Sequence, residues 1–324
     1  MSAEGGLRRT SVHVIGNVCI DTTFRLLRFP RPGETVNAAA VSDGLGGKGA
    51  NQAVAASRTG AAVKLWAAVG RDETAGRIRD MLAAEGMDVS GLARLGEPSD
   101  RSSIFVNAAG ENMIVSAVPS ATAFDPRVDT AFETNILAGD VVVMQGNLGP
   151  AVTADCLAFA NAQGATTIVN ASPLPDDGMD LANIDILIVN AGEATLLTGC
   201  DTPDASVAAL LARGPGQVLL TLGADGALLA EAGAAEFTRI AVPAVAVVDT
   251  AGAGDVLCGV VAGLFALGES LERATRLAVQ AASLAVTRKG TLASCPTSAE
   301  ITALQAAMAD LTSAADTAAP HATN

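Results

Sequence analysis

The densest run of residues able to do chemistry is VVDTAGAGDVLCGVVAGLFALG, at 247–268. Its pattern predicts a strand over Val245–Val248 that ends at Asp249, then a turn from Thr250 to Gly254. A helix follows from Ala253 onward, with Val256, Leu257, Val260, Val261 and Leu264 on its buried side. A strand feeding a small-residue turn into a helix leaves backbone N–H groups without partners. Gly252, Ala253 and Gly254 leave room for a phosphate to reach those amides, and the helix dipole adds partial positive charge. Such amides stabilise the negative charge that builds on a phosphoryl group in transfer. Asp255 comes next. A carboxylate there would repel bound phosphate, so it calls for a reason, and a general base for a hydroxyl nucleophile supplies one. Asp at a helix start is also a common cap, and this segment alone leaves both readings open.

Three further runs carry polar groups at helix or strand ends. Gly44-Leu-Gly-Gly-Lys-Gly-Ala-Asn51 opens a predicted helix. It is not a Walker A loop, because Gly49 follows Lys48 where Ser or Thr would be needed. Its amides and Asn51 could hold polyol hydroxyls, or the run could be a plain flexible turn. Asn190-Ala-Gly-Glu193 follows a predicted strand; Glu193 would order Mg²⁺ through water only if nucleotide phosphates lie close by. Thr221-Leu-Gly-Ala-Asp-Gly226 reads as a tight turn between strands.

The elements that must position these groups alternate along the chain. Val12–Ile15, Val63–Val69, Val141–Met144, Thr167–Val169, Ile184–Val189 and Gln217–Thr221 read as buried strands. Residues 48–59 and the surroundings of Ile78–Leu82 read as helices, and the chain is helical from about 253 almost to its end. Ala227–Ala230 and Glu236–Ile240 read as antiparallel ribbons. Thr297 and Glu300 form a capping-box pattern ahead of Ile301, Leu304 and Met308 at helical spacing. Strands alternating with helices give βαβ units and a mostly parallel sheet, with ligands at the strands' C-terminal ends. Residues 33–43 and 102–116 break that rhythm as strands without helices, the second with a hairpin turn at Ala109-Gly110-Glu111-Asn112. They are either an edge extension of the sheet or a small β-sheet lid over a substrate.

Composition narrows the partners. Lys and Arg number 20 against 34 Asp and Glu, so a net charge of −14 repels nucleic-acid backbones and anionic membranes. Aromatics are 3%, which weakly disfavours a nucleobase stacking pocket. Cys19, Cys156, Cys200, Cys258 and Cys295 are scattered and odd in number, which points away from zinc sites and disulfide frameworks and toward a reducing, cytoplasmic setting. The first residues lack the apolar run of a signal peptide, and no stretch reads as a membrane helix. Residues 1–10 and 313–324 read as tails around one domain spanning 11–312.

In order and spacing, GGKGAN (46–51), NAGE (190–193), TLGADG (221–226), DTAGAGD (249–255) and VTRKG (286–290) resemble the ribokinase family of carbohydrate kinases, of PfkB type. The stretch from Gly16 to Asp21, PRPGETV after Phe29 and GEN (110–112) fit it too, so the resemblance runs from about 11 to 311. It implies a three-layer α/β sandwich with a mostly parallel central sheet and a small β-sheet lid, through which such kinases often form homodimers. It implies an ATP-dependent phosphotransferase in which Asp255 activates a sugar's primary hydroxyl and Gly252, Ala253 and Gly254 form the anion hole. Asp21, Gly47, Lys48 and Asn51 fall where the family contacts its sugar. Asn190, Thr221, Gly223 and Gly226 fall where it holds ATP, and Glu193 where it orders Mg²⁺. Asp249, Ala251, Ala285, Arg288, Gly290 and Ser294 match a monovalent-cation (K⁺) site, mostly through backbone carbonyls. Two positions depart: Cys19 stands where ribokinases usually carry Asn, and Asn147 stands in the sugar site where they usually carry Glu. Lost partners change which hydroxyls a pocket satisfies, so ribose, another pentose, a ketose and a nucleoside with a free 5′-hydroxyl all remain as acceptors. A nicotinamide-dependent oxidoreductase would need a G-x-G-x-x-G turn that Gly16-Asn-Val-Cys19 lacks. A non-catalytic sugar sensor would have no use for Asp255.

Overall fold

The computed structural model describes residues 8–175 and 178–318. The chain begins with strands β1 (Ser11–Ile15), β2 (Cys19–Arg25) and β3 (Ala40–Gly46), then helix α1 (Lys48–Ser57), β4 (Ala62–Val69), α2 (Glu73–Ala84) and β5 (Leu92–Arg94). A hairpin of β6 (Arg101–Val106) and β7 (Asn112–Ala117) leads to short helices α3 (Pro119–Ala123) and α4 (Thr130–Asn135). Next come β8 (Val141–Gln145), α5 (Pro150–Ala162), β9 (Thr166–Asn170), β10 (Ile186–Asn190), α6 (Ala191–Thr198) and α7 (Pro203–Leu211). The last section holds β11 (Gln217–Thr221), β12 (Ala227–Glu231), β13 (Thr238–Ile240), α8 (Ala253–Ala266), α9 (Leu271–Ala285) and α10 (Ser298–Ala318).

Nine strands form one sheet in the order β13-β12-β11-β10-β9-β8-β1-β4-β5, parallel throughout except for β12 and β13. Its strands are apolar on both faces, as a sheet covered on both sides requires. Val12, Val14, Val141, Val143, Ile186, Ile188 and Leu219 pack under α1, α2, α8, α9 and α10. Ile15, Val142, Met144, Leu187, Val189, Val218 and Leu220 pack under the helices from α3 to α7. The result is a three-layer sandwich with a core on each side of the sheet. Trp66, Phe132 and Phe159 cluster in the second core, with Trp66 and Phe132 edge to face at 5.3 Å.

A second sheet, in the order β3-β2-β6-β7, stands apart from the first. Its inner strand β2 pairs antiparallel with β3 and parallel with β6, the other inner strand. The residues expected to begin this sheet at 33 enter it only at Ala40. Pro30 and Pro32 offer no N–H to a ladder, Gly33 turns at φ 82°, and the ion pair of Arg28 with Glu34 closes a loop instead. The expected strand over Val245–Val248 does not form. Val248 and Asp249 donate their amides to the Val286 carbonyl at the end of α9, at 2.8 and 3.2 Å, so no neighbouring strand receives them. Helix α10 continues through 313–318; of the ends expected to be loose, 1–7 and 319–324 lie outside the described residues.

The contact that matters most for the site is α1 against α8. A Cβ at Gly259 would overlap the Gln52 carbonyl and the Ala55 side chain, and one at Gly263 would overlap Thr59 and the Ala56 carbonyl. The two backbones therefore cross at close range, which brings side chains from the first turn of α1 onto the first turn of α8. Larger residues at these glycines would cost about 1–3 kcal/mol or more in overpacking.

Candidate active site

Asp255 occupies the first turn of α8 and is buried, with 6% exposure. Gly252 precedes the helix at φ 80° with the Thr291 carbonyl packed against its Cα, a conformation and a clearance that only glycine accepts. Lacking a side chain, Gly252 makes no cap hydrogen bond. Among the described residues the amides of Gly252, Gly254 and Asp255 have no acceptor, whereas that of Ala253 turns back to the Thr250 carbonyl at 3.3 Å. A helix N-terminus with free amides and an adjacent glycine turn is a ready anion site.

The Asp255 carboxylate does not cap its own helix. Asn51 donates Nδ2 to Oδ2 at 3.0 Å, and Gln52 donates Nε2 to Oδ1 at 3.0 Å. Lys48 Nζ lies 3.7 Å from Oδ1. All three donors come from the first turns of α1. Asn51 Oδ1 is buried with no donor among the described residues, so the side chain that steadies Asp255 also presents an acceptor needing a hydroxyl or amide. Asn147 Oδ1, just past β8, is in the same condition.

A cavity of about 220 Å³ opens at the C-terminal ends of the parallel strands. Lys48, Asn190, Glu193, Thr221, Gly252, Gly254 and Asp255 share its lining. Asn190 and Glu193 form a reciprocal capping box on α6: Glu193 accepts the Asn190 amide at 2.9 Å, and Asn190 accepts the Glu193 amide at 2.8 Å. Gly223 and Gly226 lie in the turn after β11 and do not line the cavity.

A larger cavity of about 610 Å³ lies under the small sheet, lined by Asp21, Thr23, Gly44, Ile104, Ile114, Asp249, Ala251, Gly290 and Thr291 among others. Asp21 sits at its inner end. Burial pushes its carboxyl above the ordinary range, the Cys19 thiol donates to Oδ1 at 3.2 Å, and Thr291 donates to Oδ2 at 3.4 Å. Burial also pushes the Cys19 thiol well up, so it stays a neutral thiol. Gly47 starts α1 at φ 95° against the Asn17 carbonyl.

The Asp249 carboxylate accepts the Ala251 amide at 2.9 Å and the Gly290 amide at 3.0 Å, tying the loop before α8 to the loop after α9. The Arg288 guanidinium pairs with Glu300 on α10, Ser294 donates to the Thr291 carbonyl at 2.8 Å, and the Ala285 carbonyl accepts the Arg288 amide at 2.9 Å. Asp249 and Ala251 thus lie in the loop before α8, Arg288, Gly290 and Ser294 in the adjoining loop after α9, and Ala285 at the end of α9 itself.

Several site residues escaped the motif reading. Gln52, Asn170, Gln145 and Cys258 form a buried hydrogen-bonded cluster behind Asp255, and Thr291 touches Asp21. Gln52 carried one local signal, a lone long amide inside the alanine- and valine-rich helix of ANQAVAAS.

A glycine turn with free amides, a buried carboxylate and a strand-end cavity on this sandwich are the features of a small-molecule kinase. A family model described as pfkB family carbohydrate kinase matches residues 9–298, and the chain belongs to that family as a carbohydrate kinase of ribokinase type. It is 31% identical over 301 residues to a ribokinase of Haemophilus influenzae, covering 90% of this chain and 97% of that one. It is also 31% identical over 299 residues to a deoxyribokinase of Salmonella typhi, covering 88% and 95%. The structure of Arabidopsis thaliana ribokinase complexed with ribose and ATP superimposes with a TM-score of 0.80 at 26% identity, covering 92% of this chain and 99% of that one.

Proposed function

We propose that this kinase transfers the γ-phosphoryl group of ATP to the primary hydroxyl of a small sugar, ribose or a related pentose or ketose. The observation that carries this reading is the Asp255 carboxylate itself. It declines its helix's own amides and is held by Asn51 and Gln52 at the mouth of the cavity that Asn190, Glu193 and Thr221 share. As general base it takes the hydroxyl proton, while the amides of Gly252, Gly254 and Asp255, with Ala253 if its turn opens, receive the phosphoryl oxygens. Lys48, beside Asp255 in the same lining, adds a cation where negative charge accumulates.

Asp21, Gly47, Asn51 and Asn147 are assigned to the acceptor. Asp21 offers acceptor oxygens, and the orphaned Oδ1 atoms of Asn51 and Asn147 suit a polyol, which brings many O–H donors. Neither cavity is lined by an aromatic side chain, which favours a sugar over a nucleoside. Asn190, Thr221, Gly223 and Gly226 are assigned to the nucleotide.

Glu193 fits a hydrated Mg²⁺. Only its Oε2 is committed to the cap, and Glu193 lines the cavity; the ion would neutralise phosphate charge. The carbonyls of Asp249, Ala251, Ala285, Arg288 and Gly290, with Ser294, are assigned to K⁺. The Asp249 clamp on Ala251 and Gly290 already draws the two loops together as such a cage requires. The small sheet acts as a lid. Its row Val41, Phe24, Phe105 and Met113, with Phe24 stacked on Phe105 at 5.4 Å, is assigned to a homodimer contact. Among the described residues no helix is long and apolar enough to cross a membrane; the assigned setting is the cytoplasm, and the assigned partners are ATP and a small acceptor, without nucleic acid.

ADP release measured with ATP, Mg²⁺ and a panel of pentoses, 2-deoxypentoses, ketoses, hexoses and nucleosides tests the reading. Turnover with a free sugar, giving the phosphate ester of its primary carbon, is the expected result. Exclusive turnover of nucleosides would overturn the sugar assignment.

A further inference from the structure

Gln52 is fully buried, and every polar atom of its side chain is committed. A carboxylate only accepts, so the amide nitrogen must face Asp255, which it does at 3.0 Å while also reaching Asn170 Oδ1 at 3.1 Å. Its Oε1 then accepts Gln145 Nε2 at 2.8 Å and the Cys258 thiol at 3.5 Å. Asn170 in turn donates Nδ2 to the Ile188 carbonyl at 3.4 Å. Donation therefore runs one way, from Gln145 at the end of β8 through Gln52 on α1 to the carboxylate, with a branch from Gln52 to Asn170 on β9. Turning the Gln52 amide over would set oxygen against carboxylate and NH₂ against NH₂, two repulsive contacts at once.

A carboxylate in the first turn of a helix has a competing choice, which is to fold back onto its own N-terminal amides. At α8 that choice would consume the anion site and remove the base from the cavity. We propose that Gln52 is a positioning residue for the phosphoryl transfer: with Asn51 it holds Asp255 across the α1–α8 crossing in the orientation that faces the acceptor, and Gln145 locks Gln52 in turn. The proposal rests on the reading of Asp255 as the base. Preorganisation of this kind lets the base act without rearrangement at the moment of reaction.

The charged and titratable groups facing Asp255 are Lys48 at 3.7 Å, Asp21 from β2 and the Cys258 thiol one turn along α8. Burial drives that thiol far up, so it does not ionise in the working range. Few charged groups thus surround Asp255, and a new carboxyl among them is readable.

The test uses the full chain with ATP, Mg²⁺ and the best acceptor from the panel. In Gln52→Met, which keeps the bulk and removes the side chain's hydrogen bonds to Asp255, Asn170 and Gln145, kcat falls about 10- to 100-fold while both KM values change by less than about threefold. In Gln52→Glu a second carboxyl competes for the proton, so the acidic limb of the kcat profile moves to higher pH, because a neighbouring like charge disfavours ionisation. A role in folding alone would move neither the profile nor the kcat-to-KM split. Gln145→Leu, one step further from Asp255, gives a smaller kcat loss with unchanged KM and decides the matter should the Gln52 variants fail to fold. Folded variants with wild-type kcat and a superimposable pH profile would overturn the proposal while leaving the kinase reading intact. A wild-type enzyme that phosphorylates no acceptor would remove both.

Discussion

Two helices begin beside the same cavity, each with an acidic residue at the third position of its first turn, and they use that acid in opposite ways. On α6, Glu193 folds back to complete a capping box with Asn190. On α8, Asp255 leaves its own N-terminus uncapped and is held by side chains of α1. Glu300, near the start of α10, behaves like Glu193 and bonds the Thr297 amide at 2.9 Å. A capping acid stabilises its helix by about 1 kcal/mol; α8 forgoes that and keeps both a free set of amides and a free-standing carboxylate. The contrast separates a structural acid from a chemical one, and it is the physical reason for assigning proton transfer to Asp255.

Breaking the contrast at its chemical end has the largest effect. Asp255→Asn lowers kcat by roughly 10²–10⁴-fold or more while ATP and acceptor still bind, as calorimetry on the folded variant would read. Retained turnover would place Asp255 with the structural acids. Glu193→Gln sharpens the other end. The amide preserves part of the cap, so stability falls by about 1 kcal/mol or less, but the Mg²⁺ concentration for half-maximal rate rises about tenfold. An unchanged Mg²⁺ requirement would make Glu193 a cap and nothing more.

The loops joined by Asp249 give a milder test, because a cation there acts on the α8 turn and not on the reacting atoms. Rates in K⁺ exceed those in Na⁺ at equal ionic strength, severalfold and not by orders of magnitude; equal rates would remove the cation site and leave the kinase. The smallest effect concerns Asp100, where the chain enters the lid. Burial raises its carboxyl to about 6 although Ser120 and Ala121 donate amides to it. A pKa raised on folding means the contribution to stability is complete below the unfolded value near 4 and is lost as pH rises through about 6. Thermal melts therefore show Asp100→Asn gaining on the wild type by a few degrees between pH 4 and pH 7. A constant difference would contradict this.

What could be read from the sequence was what is local. The glycine turn, Asp255 and the amides around it lie within a few consecutive residues, and the alternation of buried strands with helices pointed to βαβ units and a mostly parallel sheet. Long-range partners left no such trace: Gln52 and Asp255 are 203 residues apart, and nothing in either neighbourhood names the other. The sequence pattern assigns Cys19–Arg25 no element, because Asp21 and Thr23 alternate out of an apolar run to line the cavity, yet it forms β2, an inner strand of the small sheet. Val245–Val248 misled for the opposite reason. It is β-branched and apolar, yet its neighbour in space is the end of α9 and not a strand, and Val245, Val247 and Val248 remain exposed. The two acidic helix starts looked alike as NAGE and GAGD; only coordinates show which one turns away.

The central claim is that Asp255 removes a proton from the hydroxyl that attacks phosphorus. A crystal structure of the wild-type protein with its acceptor and a non-hydrolysable ATP analogue tests it directly. The expected result is the acceptor's primary hydroxyl within about 2.6–3.2 Å of the Asp255 carboxylate and between it and the terminal phosphorus, with that phosphate on the amides of Gly252 and Gly254. A primary hydroxyl paired with any other base, or a terminal phosphate bound away from the start of α8, would contradict it.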